Sequence, residues 1–337
     1  MNSDTRQQEN AGSLLKRVHH HLVPGVLLLT QLFGVAAAIA QVDDEIFGPD
    51  DGNDYIYRAA VAATPALEVE RIELSLNPPM ALERISAVAG DAEGNLYLFQ
   101  RNTDYDPVIV IDREGNLLRS FGAGLFAYPH SIRLDPAGNV WTVDASTSMI
   151  HKFSPQGEHL LQISVGDVPA IARIQRGTAD IAFGPDGLIY VADGYANGRI
   201  VVFDGEGNRI REWGRRGTGP GEFNLPHSLV VGPDGTVYVA DRENGRIQLF
   251  TPEGEYLREW DYSGRPISLD FAPDGSLYLS AEPRGVSMTE SVIIRINLED
   301  GSFEGKFDGF GHQLGVGGDG ALLPSSLSGV VSVYHLK

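Results

Sequence analysis

The sequence predicts an all-β chain folded as a six-bladed β-propeller, and three observations lead there. One turn recurs six times, as Asp91-Ala-Glu-Gly94, Asp135-Pro-Ala-Gly138, Gly184-Pro-Asp-Gly187, Gly232-Pro-Asp-Gly235, Ala272-Pro-Asp-Gly275 and Gly317-Gly-Asp-Gly320, with closing glycines 44, 49, 48, 40 and 45 residues apart. Each turn sits between apolar, β-branched runs such as Ser228-Leu-Val-Val231 and Thr236-Val-Tyr-Val-Ala240. That pattern is a hairpin whose glycine supplies a positive φ. A second turn lies about twenty residues further on in most units: Asp112-Arg-Glu-Gly115, Ser154-Pro-Gln-Gly157, Asp204-Gly-Glu-Gly207 and Thr251-Pro-Glu-Gly254. Two hairpin turns per unit mean four strands, which is a propeller blade.

The elements follow in order. Residues 1–40 read as a signal peptide: Lys16, Arg17 and His19 to His21 precede an apolar stretch, Leu22 to Ala40, that ends in Ala38-Ile39-Ala40. Small residues at those spacings are what signal peptidase cuts. The alternative is an N-terminal membrane anchor, since the stretch is nearly long enough to span. Either way the chain is expected to be exported, to a periplasm or the extracellular space. Residues 41–66, acidic and then Ala-rich, read as a linker, and the propeller is placed at 67–337. The sixth unit is short, with 17 residues after Gly320. The run Leu67 to Leu76 alternates in polarity and has no blade of its own. It is expected to supply the outer strand of blade six, so that an N-terminal strand closes the ring and leaves no exposed edge.

Composition narrows the function. Asp and Glu number 45 against 26 Lys and Arg, a formal net charge of -19. Nucleic acid is excluded as a partner, because phosphate binding needs a basic surface. The chain has no cysteine, so an exported protein of this sequence gains nothing from disulfides and needs a large core. A monomer is expected.

One constellation carries chemistry. Eight residues before the turn glycine stand His130, His227 and His312 in units two, four and six, and Ser86, Ala179 and Ile267 in units one, three and five. The register lies at the start of the strand that lines the central channel. Alternate blades of six are a third of a turn apart, so three imidazoles would converge on the axis. Three neutral imidazoles with an open fourth position suit zinc in a catalytic role. Arg101, Tyr195 and Arg242 lie seven or eight residues beyond the turn glycine, at the same end of the blade. An arginine there can hold a carboxylate, and a tyrosine beside a metal can act as a base. His151, His159 and His335 lack the register and read as ordinary surface or strand residues.

The units resemble NHL repeats, and Phe223 to Phe250 matches that repeat along its length. More specifically, Gly124-Leu-Phe-Ala-Tyr-Pro-His-Ser-Ile132, Val191-Ala-Asp-Gly-Tyr-Ala-Asn-Gly-Arg-Ile200, Leu225-Pro-His-Ser-Leu229 and Val239 to Gln248 resemble the peptidyl-α-hydroxyglycine α-amidating lyases. The resemblance implies cleavage of a peptidyl-α-hydroxyglycine into a peptide amide and glyoxylate. It implies zinc on His130, His227 and His312, Tyr195 as general base and Arg101 as the substrate-binding arginine. It also implies a structural calcium held partly by the backbone carbonyls of Val88 and Ile132. The third motif departs from the family: Phe310-Gly-His-Gln313 has no Pro before the histidine, and Gln313 stands where the family has the calcium-binding Asp. No copper monooxygenase domain is present in this sequence, so a separate monooxygenase partner would supply a hydroxyglycine substrate. Two other readings remain at this point. One is a metal-dependent propeller hydrolase of the lactonase kind, and the other is an exported NHL scaffold that binds without catalysis.

Overall fold

The structure is a computed structural model and describes residues 54–337 apart from Glu83, Asp167, residues 169–173, Ser263, residues 285–290 and Phe310. The expected signal or anchor segment and the first half of the linker lie outside the described residues. Among the described residues no helix is long and apolar enough to cross a membrane.

Six four-stranded sheets form six blades. Within blades one to five the chain runs from the innermost strand outward by antiparallel hairpins. The innermost strands are Ile85–Gly90, Pro129–Leu134, Asp180–Phe183, Pro226–Val231, Arg265–Phe271 and Leu314–Val316. The sixth blade follows the order Leu314–Val316, Leu322–Pro324, Ser332–Leu336 and then Val69–Glu73 from the N-terminal side of the chain. Val69 pairs with Leu336 and Glu73 with Ser332.

Burial explains the strand sequences. A strand covered on both faces by neighbouring blades is apolar throughout, as in Val108–Ile111, where all four residues are buried. The outer strands are half solvated and alternate in character, as in Arg209–Trp213. The cores lie between blades: Trp141, Val143 and Ile150 of blade two pack with Ile181, Ile189 and Val201 of blade three. Truncating any of these isoleucines to alanine would cost about 2–5 kcal/mol through lost burial and the cavity left behind.

One segment differs from its sequence reading. The described part of the linker holds a helix, Asp54–Ala63. Its Tyr57 is buried with Trp260 and Tyr262 in the core of blades four and five, and Val61, one turn on, packs against the same cluster. The Thr64 hydroxyl donates to the Ala60 carbonyl, and Pro65 then ends the helix because the residue before a proline is pushed out of the helical region. Only Tyr57 and Val61 mark the buried face, too short a pattern to separate from an Ala-rich linker.

Candidate metal centre and its surroundings

A backbone irregularity aims the first two histidines. In blade two Pro129 pairs with Asp144 and Ser131 with Val143, and in blade four Pro226 pairs with Asp241 and Ser228 with Ala240. His130 and His227 are the extra residues of these two bulges, left without a partner across the hairpin. A bulge re-aims one side chain without disturbing the rest of the strand. Blades one and five bulge at Ser86 and Ile267, the same register. His312 stands two residues before its strand, Leu314–Val316.

The three imidazoles meet on the axis. Ring centroids lie 5.1 Å apart for His130 and His227, 4.8 Å for His130 and His312 and 5.3 Å for His227 and His312. One ligand nitrogen from each lies within 4.8 Å of the others, close enough to hold a metal ion together. All three side chains are buried.

The outer nitrogens fix the tautomers. His130 Nδ1 bonds the Ala179 carbonyl at 2.6 Å, His227 Nδ1 the Ile267 carbonyl at 2.8 Å and His312 Nδ1 the Ser86 carbonyl at 3.1 Å. A carbonyl only accepts, so each Nδ1 carries the proton and each Nε2 presents a lone pair. This is how a metal-binding histidine is usually held from outside. Burial pushes His130 and His227 well below the ordinary histidine pKa and His312 down to about 3; Arg242 helps at all three, Arg101 at His130 and His312, and neighbouring histidines at His130 and His227. The rings are therefore neutral, the form a metal needs.

Tyr195 adds one proton to this set. Its hydroxyl lies 2.7 Å from His130 Nε2 and 3.0 Å from His227 Nε2. A phenol can donate to only one of them. The two inward lone pairs in its reach share a single proton, which leaves at least one buried acceptor that a cation would satisfy. The donor set fits a metal on this count. Burial holds the Tyr195 phenol above its ordinary pKa, while Arg242 and Arg101 pull it down.

The two arginines are held differently. Arg242 is buried, and its Nε donates to Glu243 Oε1 at 2.7 Å. Arg265 reaches the same oxygen at 2.8 Å and also pairs with Glu282. Among the described residues Arg101 pairs with no carboxylate. Its Nε donates to the Pro129 carbonyl at 2.8 Å, its Nη1 donates to the Tyr128 hydroxyl at 3.0 Å, and its carbon Cζ stacks 4.1 Å from the Tyr128 ring centre. Its Nη2 is buried without a partner. A guanidinium oriented by neutral groups, with one donor unused, keeps its charge for an anion.

The structure thus brings His130, His227, His312 and Tyr195 together and sets Arg101 and Arg242 close enough to act on their charge. Val88 and Ile132 lie further along the inner strands of blades one and two. Three features escaped the sequence reading. Tyr128 stands inside the quoted motif before His130, but nothing in its spacing ties it to Arg101. Gln175, whose Nε2 donates to the Tyr128 hydroxyl at 2.7 Å, belongs to no motif that would mark it. Glu243 is a buried acid to which the sequence reading gave no role. A charged residue between two others in Asp-Arg-Glu-Asn-Gly-Arg gives no sign of burial. His151, expected as an ordinary strand residue, is buried away from the axis against Phe126 and Phe153.

Fold and site together define an NHL-repeat propeller with a buried three-histidine centre, and residues 179–203 and 223–250 match the NHL repeat model. Among curated proteins the chain resembles enzymes of peptide amidation. It is 33% identical over 199 residues to a peptidyl-glycine α-amidating monooxygenase of Mus musculus, covering 48% of this chain and 20% of that protein. It is 30% identical over 195 residues to a probable peptidyl-α-hydroxyglycine α-amidating lyase of Caenorhabditis elegans, covering 50% of this chain and 55% of that one. The chain spans about half the length, or less, of these relatives. Among solved structures a streptogramin B lyase superposes with a TM-score of 0.57 at 15% identity, over 80% of this chain and 98% of that one. That likeness concerns the fold.

Proposed function

We propose that this protein is a zinc-dependent carbon–nitrogen lyase that cleaves a peptidyl-α-hydroxyglycine, or a related α-hydroxy amide, to an amide and glyoxylate. The observation that carries the reading is the convergence of three imidazoles, two of them with Nε2 in reach of the Tyr195 phenol, with a buried arginine donor beside them that has no partner among the described residues. Relatives named as amidating lyases support the reaction class. An all-imidazole donor set favours zinc over calcium. It also speaks against the lactonase alternative, which would need carboxylate or Asn ligands. Zinc held there would polarise the substrate's α-hydroxyl and lower the pKa of the neighbouring phenol.

The chain's own groups then have distinct tasks. Arg101, with its free Nη2, binds the substrate carboxylate. Tyr195 takes the proton of the α-hydroxyl as the carbon–nitrogen bond breaks, and the departing amide nitrogen recovers a proton, so the reaction is balanced without a co-reactant. Arg242, neutralised in part by Glu243, biases Tyr195 toward its ionised form. The three Nδ1 bonds orient the imidazoles toward the axis, His130 and His227 more tightly than His312. We further propose that the protein is exported and monomeric, and that a separate monooxygenase supplies its substrate.

Metal analysis of the purified protein beside His227→Ala, with glyoxylate release from α-hydroxyhippurate as the assay, tests the proposal. Stoichiometric zinc and activity in the parent, both lost in the variant, are the expected result. A parent that takes up no zinc when supplied with it, or that releases glyoxylate equally well as His227→Ala, refutes it.

A further inference from the structure

The channel continues below the histidines, and the cation at that level is a side chain. Arg133, on the inner strand of blade two, reaches across the axis. Its Nη2 donates to Asp180 Oδ2 at 2.7 Å and to the Leu269 carbonyl at 3.1 Å. Its Nε donates to Asp180 Oδ1 at 3.2 Å. Its Nη1 lies 2.9 Å from Asp270 Oδ2 and donates to the Leu314 carbonyl at 3.4 Å. These partners sit on the inner strands of blades three, five and six. Asp180 also accepts hydrogen bonds from the Ser131 and Ser228 hydroxyls, on blades two and four. One guanidinium and the carboxylate it grips therefore join the inner strands of five blades.

This is the level at which the resemblance implies calcium. Ile132 directly precedes Arg133, and Gln313 directly precedes Leu314. The Val88 carbonyl is pressed against Gly315, where a Cβ would come within 2.0 Å of it. Calcium takes 6–8 oxygen ligands at about 2.3–2.6 Å, carboxylates among them. Here the Gln313 Oε1 already accepts the Ser268 hydroxyl at 2.9 Å. The two axial carboxylates, Asp180 and Asp270, are both committed to Arg133. A second cation beside the guanidinium would meet repulsion and find no free carboxylate, so these residues do not fit calcium.

We propose that Arg133 is a built-in axial cation that stands in for a structural divalent ion, and that its removal turns the Asp180–Asp270 pair into a divalent-cation site. The balance of charge requires something of the kind. Two carboxylates on one axis repel, and Asp180, fully buried, and Asp270, half-buried, both lose hydration that a partner replaces. Even with Arg133 in place, burial raises Asp270 to about 6. A guanidinium meets the planar geometry of Asp180 with two donors and spares others for backbone carbonyls, which a lysine cannot do. The inference does not depend on the lyase reading, because it concerns the ring and not the histidines.

The test uses the full chain loaded with zinc, dialysed into calcium-free buffer, and reads calcium content and thermal midpoint with and without millimolar calcium. The parent is expected to retain no calcium and to show the same midpoint in both buffers. Arg133→Ser is expected to lose several degrees in calcium-free buffer, to recover most of them with calcium, and to retain about one calcium per chain. Adding Asp270→Asn to that variant should abolish the recovery. A parent that holds stoichiometric calcium, or a folded Arg133→Ser whose midpoint calcium does not move, overturns the proposal. If Arg133→Ser does not fold, Arg133→Lys decides: it is expected to be less stable than the parent and indifferent to calcium, and stabilisation of it by calcium overturns the proposal.

Discussion

Three imidazoles buried on one axis make the metal-free protein sensitive to mild acid, by an amount that follows from the site. Burial holds His130 and His227 well below the ordinary histidine pKa and His312 at about 3. At about pH 5 the folded protein therefore binds none of these three protons, while the unfolded chain, with ordinary histidines near 6.5, binds nearly all. Where the unfolded state binds more protons, stability falls as pH falls. This contribution is full above about pH 6.5 and is lost progressively below it. Each histidine adds a limiting slope of about 1.4 kcal/mol per pH unit, so three add about 4. Asp270, raised to about 6 by burial, opposes this: the folded state takes up its proton while the unfolded carboxyl stays ionised until about pH 4. Asp193, Asp241 and Glu282, also raised by burial, act in the same sense as Asp270, so the histidine contribution is read as a difference between parent and variant. Asparagine at position 227 keeps an amide donor for the Ile267 carbonyl and removes one titrating ring. Urea unfolding of metal-stripped parent and His227→Asn, followed by tryptophan fluorescence at stepped pH, should show slopes that differ by about 1.4 kcal/mol per unit between about pH 6 and 5. A stability difference between the two proteins that stays constant across that window would refute the reasoning.

Other substitutions divide the site's tasks. Tyr195→Phe should lower kcat for glyoxylate release by about 100- to 10,000-fold, the usual worth of a general base, with zinc content unchanged in the same preparation. Tyr128→Phe removes the oxygen that accepts from Arg101 and Gln175 but keeps the stacked ring. The loss of one charged hydrogen bond, about 1.5–3 kcal/mol, predicts a fall of about 10- to 100-fold in kcat/KM. It should appear mainly in KM, and Tyr128→Leu should fare worse because the stack goes too. Glu243→Gln leaves Arg242 and Arg265 without their shared carboxylate in a buried position. It should destabilise the protein by about 3–5 kcal/mol in chemical denaturation.

The fold was legible because each blade repeats its turn, and a glycine that must adopt positive φ anchors every register count. Gly94, Gly138, Gly187, Gly235, Gly275 and Gly320 all do so in the structure. The convergence of His130, His227 and His312 was legible from the same count. What surrounds them was not. Ser86, Ala179 and Ile267 entered the count only as positions lacking histidine, yet their carbonyls hold the three rings. Any residue has a carbonyl, so no side-chain pattern could mark that role. Arg133 was hidden for a different reason. Within Ser131-Ile-Arg-Leu134 it alternates with apolar residues, as a solvent-facing strand residue would, and only the ring places that side on the axis. Tyr128 acts on Arg101, 27 positions earlier in the chain. Their contact depends on how adjacent blades pack, which local sequence does not encode.

A six-fold ring gains a three-fold site by dividing labour between alternate blades. Blades two, four and six give imidazoles, and blades one, three and five give the carbonyls that orient them. Each histidine is thus tied to the next blade around the ring, and the third tie crosses the seam. His312 bonds to Ser86, 226 positions earlier in the chain, so this ligand is set only when blade six meets blade one. The tie is also the loosest of the three, at 3.1 Å against 2.6 and 2.8 Å. It shares its acceptor with the Ser325 hydroxyl at 3.0 Å. His312 also lies outside the hydrogen-bonded strand and is 7% exposed, where the other two are fully buried. His130 and His227 are held by their bulges and short Nδ1 bonds, so any adjustment that an ion required would fall on His312. The ligand with the least regular sequence motif is, for the same physical reason, the one with room to move.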